Sequence, residues 1–260
     1  MFQSHSLLWH YLWVAPNLLL ALLGIVLWRR GLHKELRGFF IYAWFQAVQW
    51  AVLYPMDLIP SIPGADYWRV YWVSVVLEFI IVFFLISDIF ADVFGSYAAL
   101  SHLGKLLIRR GGALLLITAT AIAARAPMDN PFWYIPATHI LQEAMYIVVS
   151  GLIVLLFAEA AYFRLAWNPR VYGIALGLGI SSCVHLATWA IAANGGLTGK
   201  RNLLDLANMA SFHGAVLIWF YYLLVPQKVP TKPVGALPEN NLAVWNQELE
   251  RLLQRRPSQP

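Results

Sequence analysis

Apolar residues in this chain run in long blocks separated by short polar gaps, with none of the strict alternation of a half-buried strand. A helix that crosses the hydrocarbon of a bilayer needs about 20 mostly apolar residues. Blocks near that length lie at 7–28, 39–55, 68–87, 111–126, 136–158, 171–193 and 203–225. In lipid the backbone must satisfy its own polar groups, and a helix does so within one segment. The pattern therefore predicts an all-α, polytopic membrane protein, a seven-transmembrane-helix bundle over 7–225. The block at 111–126 is the shortest, with Thr118 and Thr120 inside it and Arg125 at its end, from which a long side chain snorkels to the interface.

The gaps carry directional information. The first, third and fifth gaps and the C-terminal tail hold 14 of the 18 Lys and Arg residues; Arg69, Arg125, Lys200 and Arg201 are the remainder. Cytoplasmic loops carry the basic excess, so the N-terminus is expected outside and the C-terminus inside a bacterial inner (cytoplasmic) membrane. The first block is too long for the apolar core of a signal peptide and has no basic stretch before it. It is expected to be a retained helix, with Arg29, Arg30, Lys34 and Arg37 holding its far end inside.

Two further segments follow from periodicity. Within 88–110, Ile89, Phe90, Val93, Phe94, Tyr97 and Leu100 recur at helical steps while Asp88, Asp92 and Ser96 take another face. This predicts a helix lying along the cytoplasmic membrane surface. Pro226, Pro230, Pro233 and Pro238 mark a Pro-rich cytoplasmic linker over 226–240. An amphipathic C-terminal helix at 241–256 comes next, with Leu242, Trp245, Leu249 and Leu252 on one face. That helix is a candidate for membrane docking, self-association or a cytoplasmic protein partner.

Composition agrees with the lipid bilayer as the main partner. Hydrophobic residues make up 60% and charged residues 12%, where a soluble domain has about a quarter charged. The net charge of +5 sits in loops that orient helices, so no nucleic acid is expected. Aromatic residues near block ends (Trp9, Trp13, Tyr67, Trp68, Trp72, Trp133, Tyr134 and Tyr221) fit a headgroup-level belt. The single cysteine, Cys183, reads as a small buried apolar residue. Gly173, Gly177 and Gly179 read as a surface for close helix approach.

Candidate chemistry lies in polar residues within the blocks, because an ionisable group in hydrocarbon is costly unless it faces a bundle interior or cavity. His139, Gln142, Glu143, Tyr146 and Ser150 share one helical face, as do Tyr42, Gln46, Gln49 and Trp50, and Tyr71, Ser74 and Glu78. Ser181, Ser182, His185 and Thr188 form another stripe; Asp205, Asn208, Phe212 and His213 a fifth; His10, Trp13 and Asn17 a sixth. With the N-terminus outside, these groups fall in the outer half or near the middle of their helices. The expectation is a polar cavity open to the outside and closed by apolar packing inside. Glutamines and serines also bond helices together as structural glue, and Asp205 is expected to complement the start of its helix. The expected ligand-binding residues are Glu78, Glu143, His185, His213, Gln49, Tyr146 and Asn208. No cofactor is predicted; a zinc or haem site on some of His10, His139, His185 and His213 is the alternative, unsupported by any HxxxH, HExxH or CxxCH spacing.

Familiar seven-span chemistries lack their residues here. The last block has no lysine for retinal, His213 stands without a paired histidine, and no GxSG occurs. The stretches ISDIFADVFGSYAAL, GIALGLGI, SFHGAVLIWFYYLLVP and LPENNLAVWNQELERLL together resemble a family of bacterial seven-span integral membrane proteins, of acidobacterial type, to which no activity is assigned. The resemblance covers residues 7–256 and implies a grouping, with no catalytic residues. More loosely the layout is similar to the sensor halves that precede histidine kinases. The reading that follows is a receptor- or sensor-like module binding a small ligand, more a binding protein than an enzyme. The alternatives are a metal-dependent intramembrane enzyme and a small transporter or permease subunit.

Overall fold

A computed structural model of the chain describes residues 6–95, 110, 134–162, 165, 167–193 and 201–225. Among these described residues six long α-helices are formed: α1 (Leu7–Arg29), α2 (Arg37–Leu58), α3 (Gly64–Phe94), α4 (Tyr134–Tyr162), α5 (Pro169–Ala193) and α6 (Arg201–Leu224), with a short 3-10 turn at Leu32–Lys34. No strand occurs among the described residues. Five of the helices, α1 and α3 to α6, are long and apolar enough to cross a membrane. In α2, which spans 22 residues, Gln46 and Gln49 dilute the apolar run. The outward faces carry a girdle of exposed Leu18, Leu22, Val52, Leu77, Phe84, Val154 and Leu217. Water would not tolerate such a surface, whereas lipid requires one. The chain is an all-α, multi-pass membrane protein.

Each of these helices matches one of the predicted blocks and extends beyond it at one end or both, except that α6 stops one residue short of its block's far end. The block at 111–126, the linker at 226–240 and the tail helix at 241–256 lie outside the described residues. The surface helix expected over 88–110 is corrected in its first part. Residues 88–94 continue α3, and Ile89, Phe90, Val93 and Phe94 are each at most 3% exposed, packed in the core. Asp88 made this stretch look like a surface element, yet its Oδ2 accepts the Gly38 backbone N–H at 3.0 Å. Gly38 lies in the first turn of α2, where backbone donors lack helical partners. Asp88 therefore caps a neighbouring helix from within the bundle.

The helices close into a ring. Neighbours in sequence pack side by side, and α6 returns to α1. Four seams are antiparallel. His10 meets Tyr54 across α1 and α2, and Gln46 meets Glu78 across α2 and α3. Tyr146 meets His185 across α4 and α5, and Thr188 meets Asn208 across α5 and α6. Two seams are parallel. Trp68 and Tyr71 of α3 meet His139 and Gln142 of α4 in the same order. Tyr11 and Arg30 of α1 likewise meet His213 and Leu224 of α6.

The turn joining α1 to α2 needs a left-handed residue, which Gly31 supplies at φ 72°. The glycines of α5 serve close packing, as expected. A Cβ at Gly173 would strike Tyr222, one at Gly177 would strike the Trp219 indole, and one at Gly179 would lie 2.8 Å from Ile153 of α4. Cys183 corrects its expectation, because it is exposed on the outer side of α5.

The two ends of the ring differ. Leu23, Leu27, Phe39, Leu85, Ile86, Leu156, Ile174 and Leu223 are all at most 2% exposed and fill the half where α1 and α3 end. That end is rimmed by charge, including an Arg170–Glu35 ion pair at 3.0 Å. The other half is hollow.

Candidate functional site

The hollow is a cavity of about 1230 Å³ surrounded by all six helices. Its mouth includes Ile59, Pro60 and Ile62 in the α2–α3 turn, and its floor includes Tyr42, Val82, Val149, Leu178 and Trp219. The floor is rigid for identifiable reasons. Trp219 is fully buried, donates Nε1–H to the Ile174 carbonyl at 3.2 Å, and packs edge-on against Phe39 and Tyr42.

Glu78 stands just above this floor, fourteen residues into α3. At about 1.5 Å per residue that places it roughly 21 Å from the helix start. Gln46 of α2 donates Nε2–H to Glu78 Oε1 at 2.7 Å, and Gln49, one turn on, bonds to the same carboxyl. The Tyr42 hydroxyl bonds in turn to Gln46. The Gln46 amide therefore links tyrosine to glutamate. Glu78 is deep in the bundle yet keeps accessible surface, because it faces the hollow.

The walls carry the other stripes. Gln142 of α4 donates Nε2–H to the Tyr71 hydroxyl at 2.7 Å, and Tyr71 stacks on Tyr67 with centroids 6.1 Å apart. His185 stacks on Tyr146 at 4.4 Å, its Nδ1 lying 3.1 Å from the Ser181 carbonyl. That contact makes Nδ1 the donor and leaves Nε2 for the cavity. The Thr188 hydroxyl lies 2.7 Å from Asn208 Oδ1, so the Asn208 amide keeps its N–H groups for other partners. Glu143 lines the cavity and makes no side-chain bond among the described residues.

Glu78, Glu143, His185, Gln49, Tyr146 and Asn208 thus share one cavity. His213 does not line it. Its ring packs against Tyr11 in the α1–α6 seam, with Nδ1 buried and unpartnered among the described residues. His10 is likewise turned into the α1–α2 seam, its Nδ1 3.2 Å from the Tyr54 hydroxyl. Of the four histidines offered for zinc or haem, His139 and His185 face the hollow while His10 and His213 sit in separate seams. Among the described residues no three His, Cys, Asp or Glu side chains converge as a metal would need. Asp205 lies one turn inside α6 and lines the cavity, so it is not at the capping position.

The sequence reading missed part of the lining. Trp9, Tyr67 and Trp68, assigned to a headgroup belt alone, face the hollow, as do Trp189, Trp219 and Asp57. The available signal was register. Trp68 is three residues from Tyr71 and ten from Glu78, which places all three on one helical face. No family model, curated protein or solved structure matches this chain.

Proposed function

We propose that this chain is a seven-span inner-membrane protein, N-terminus outside and C-terminus inside, acting as a receptor- or sensor-like module for a small ligand. The observation that carries the reading is a large cavity that gathers polar side chains from six helices over an apolar plug. A merely structural bundle would spend those groups pairwise and close the space, since interiors pack without voids much larger than water. Seven crossings are supported by direction. The neighbours α3 and α4 run parallel, which one further crossing between them would account for, and the block at 111–126 has the composition for it. Sidedness is supported by Arg29, Arg30, Lys34, Arg37 and Arg170 at the plugged end. Grouping with the acidobacterial-type seven-span family belongs to the same proposal, as does relay to a cytoplasmic partner through the tail helix at 241–256.

The test is a thermal-shift screen of the detergent-purified protein against a chemically mixed library, repeated on Glu143→Gln and His185→Ala. Stabilising compounds should lose most of their effect on one variant or both. If every active compound stabilises all three proteins equally, the cavity is not where ligands act. A transporter is the second reading, favoured by the depth of Glu78 next to the plug. Proton- or substrate-coupled flux in vesicles, abolished by Glu78→Gln, would select it.

A further inference from the structure

The charge inventory of the cavity is one-sided. Asp57, Glu78, Glu143 and Asp205 line it, and no Lys or Arg does so among the described residues. An anionic ligand would meet the Glu78 and Glu143 carboxyls with no Lys or Arg among the described lining residues beside them, and in a low-dielectric site that juxtaposition is costly. The deepest acid is also the best prepared. Glu78 accepts from Gln46 at 2.7 Å and bonds to Gln49, so its carboxyl is held in a fixed place at the cavity floor. Among the described residues no Lys or Arg lines the cavity around it.

The lining is also rich in aromatic side chains. Tyr71 and Tyr146 lie within electrostatic reach of Glu78. Trp50, Trp13, Trp68 and Trp189 stand between that level and the mouth. Ring faces attract cations, most strongly tryptophan, and a cage of them recognises alkylated ammonium groups whose dehydration is cheap. Volume separates the remaining candidates. Sites for drug-sized molecules occupy about 300–1000 Å³, and this hollow of about 1230 Å³ far exceeds a bare metal ion or proton carrier.

Resting on the ligand-cavity reading above, we infer that the natural ligand is an organic cation. It is an amine or quaternary ammonium compound with an apolar body, its charged head beside Glu78 and its body among the cavity tryptophans.

The experiment uses the full chain in maltoside detergent free of choline lipids, with tryptophan fluorescence and thermal shift as readouts. The probes are benzyltrimethylammonium, tetraethylammonium and choline, each set against a neutral analogue in which carbon replaces the nitrogen, and tert-butylacetate as the anion. At least one cation should bind about tenfold or more tightly than its neutral analogue, as expected for a caged and paired charge, and the anion should not bind. Glu78→Gln should bring cation and analogue within about twofold of each other, the charge attraction having gone. If Glu78→Gln does not fold, Glu143→Gln serves, with an expected loss of about threefold or more for the cation and none for the analogue. Neutral analogues binding as well as cations would overturn the charge assignment and leave the cavity reading standing. If no probe of any charge binds, both fall.

Discussion

Substituting Gly177 by alanine should destabilise the bundle, although alanine is the better helix former. Glycine in a helix interior costs about 0.5–1 kcal/mol relative to alanine, so an unobstructed site would gain stability. At Gly177 the added methyl would run into the Trp219 indole, meeting Nε1, Cε2 and Cδ1 of the five-membered ring. Trp219 cannot step aside, since it is fully buried, bonded to the Ile174 carbonyl and wedged by Phe39 and Tyr42. Overpacking a core site costs about 1–3 kcal/mol, which exceeds the propensity gain and leaves a net loss of about 1–2 kcal/mol. Gly151, exposed on α4 with nothing within 4 Å of a Cβ, is the internal control and should be neutral or slightly stabilised. Trp219→Phe lacks the clashing five-membered ring. On its own it should cost about 1 kcal/mol for the lost hydrogen bond plus the void left behind, yet in the Gly177→Ala background it should restore part of the loss. The assay is reversible unfolding in mixed micelles of dodecyl sulfate and a mild detergent, followed by tryptophan fluorescence, as a double-mutant cycle. If the two losses simply add, or if Gly177→Ala behaves like Gly151→Ala, the close-approach argument is refuted.

Asp88→Ala should cost about 1 kcal/mol by uncapping α2, and Asp88→Asn should recover most of it; the same unfolding assay decides, and equal losses would mean that the Gly38 bond contributes nothing. Gln46→Leu should cost about 0.6–2 kcal/mol, the range for hydrogen bonds between membrane helices, and the loss should shrink when Glu78 is already glutamine, with an unchanged loss ruling out the pair as its source. Cys183 on the outer face of α5 should react in membranes with a lipid-soluble maleimide and resist a charged thiosulfonate; rapid labelling by the charged reagent would mean that this face is wet. For sidedness, Ser61→Cys should label from outside intact cells and His33→Cys only after permeabilisation; the opposite pattern would invert the topology.

Much of the architecture could be read from block length, because hydrocarbon thickness sets a helix length that few other constraints imitate. The polar stripes were legible for a related reason, since residues three and four apart share a face whatever surrounds them. Rotation about each helix axis was not. On α6 the cavity-lining Asp205, Asn208, Phe212 and Trp219 fall within about 60° of one another at roughly 100° per residue. His213 stands about 100° from the middle of that arc, which turns it into the seam with α1. His10 is displaced on α1 by nearly as much. One helix read alone cannot say which of two adjacent stripes faces inward, because neighbours decide it. The aromatic lining was misplaced by an ambiguity of residue type, as tryptophan near a helix end suits both the headgroup region and a wet cavity. Cys183 and Ile89 show the converse difficulty. Apolar residues suit lipid and core equally, so hydropathy does not sort one from the other.

The two parallel seams divide the barrel of helices into two three-helix leaves, α1 to α3 and α4 to α6, that meet without a short hairpin at either junction. Within a leaf, tight or modest loops tie each helix to the next; between leaves the described attachments are side chains, such as Tyr71 with Gln142 and Arg30 with Leu224. A book of this kind can flex at its spine without bending any page. Any parting of the leaves at these two seams would widen or narrow the hollow while leaving each helix straight.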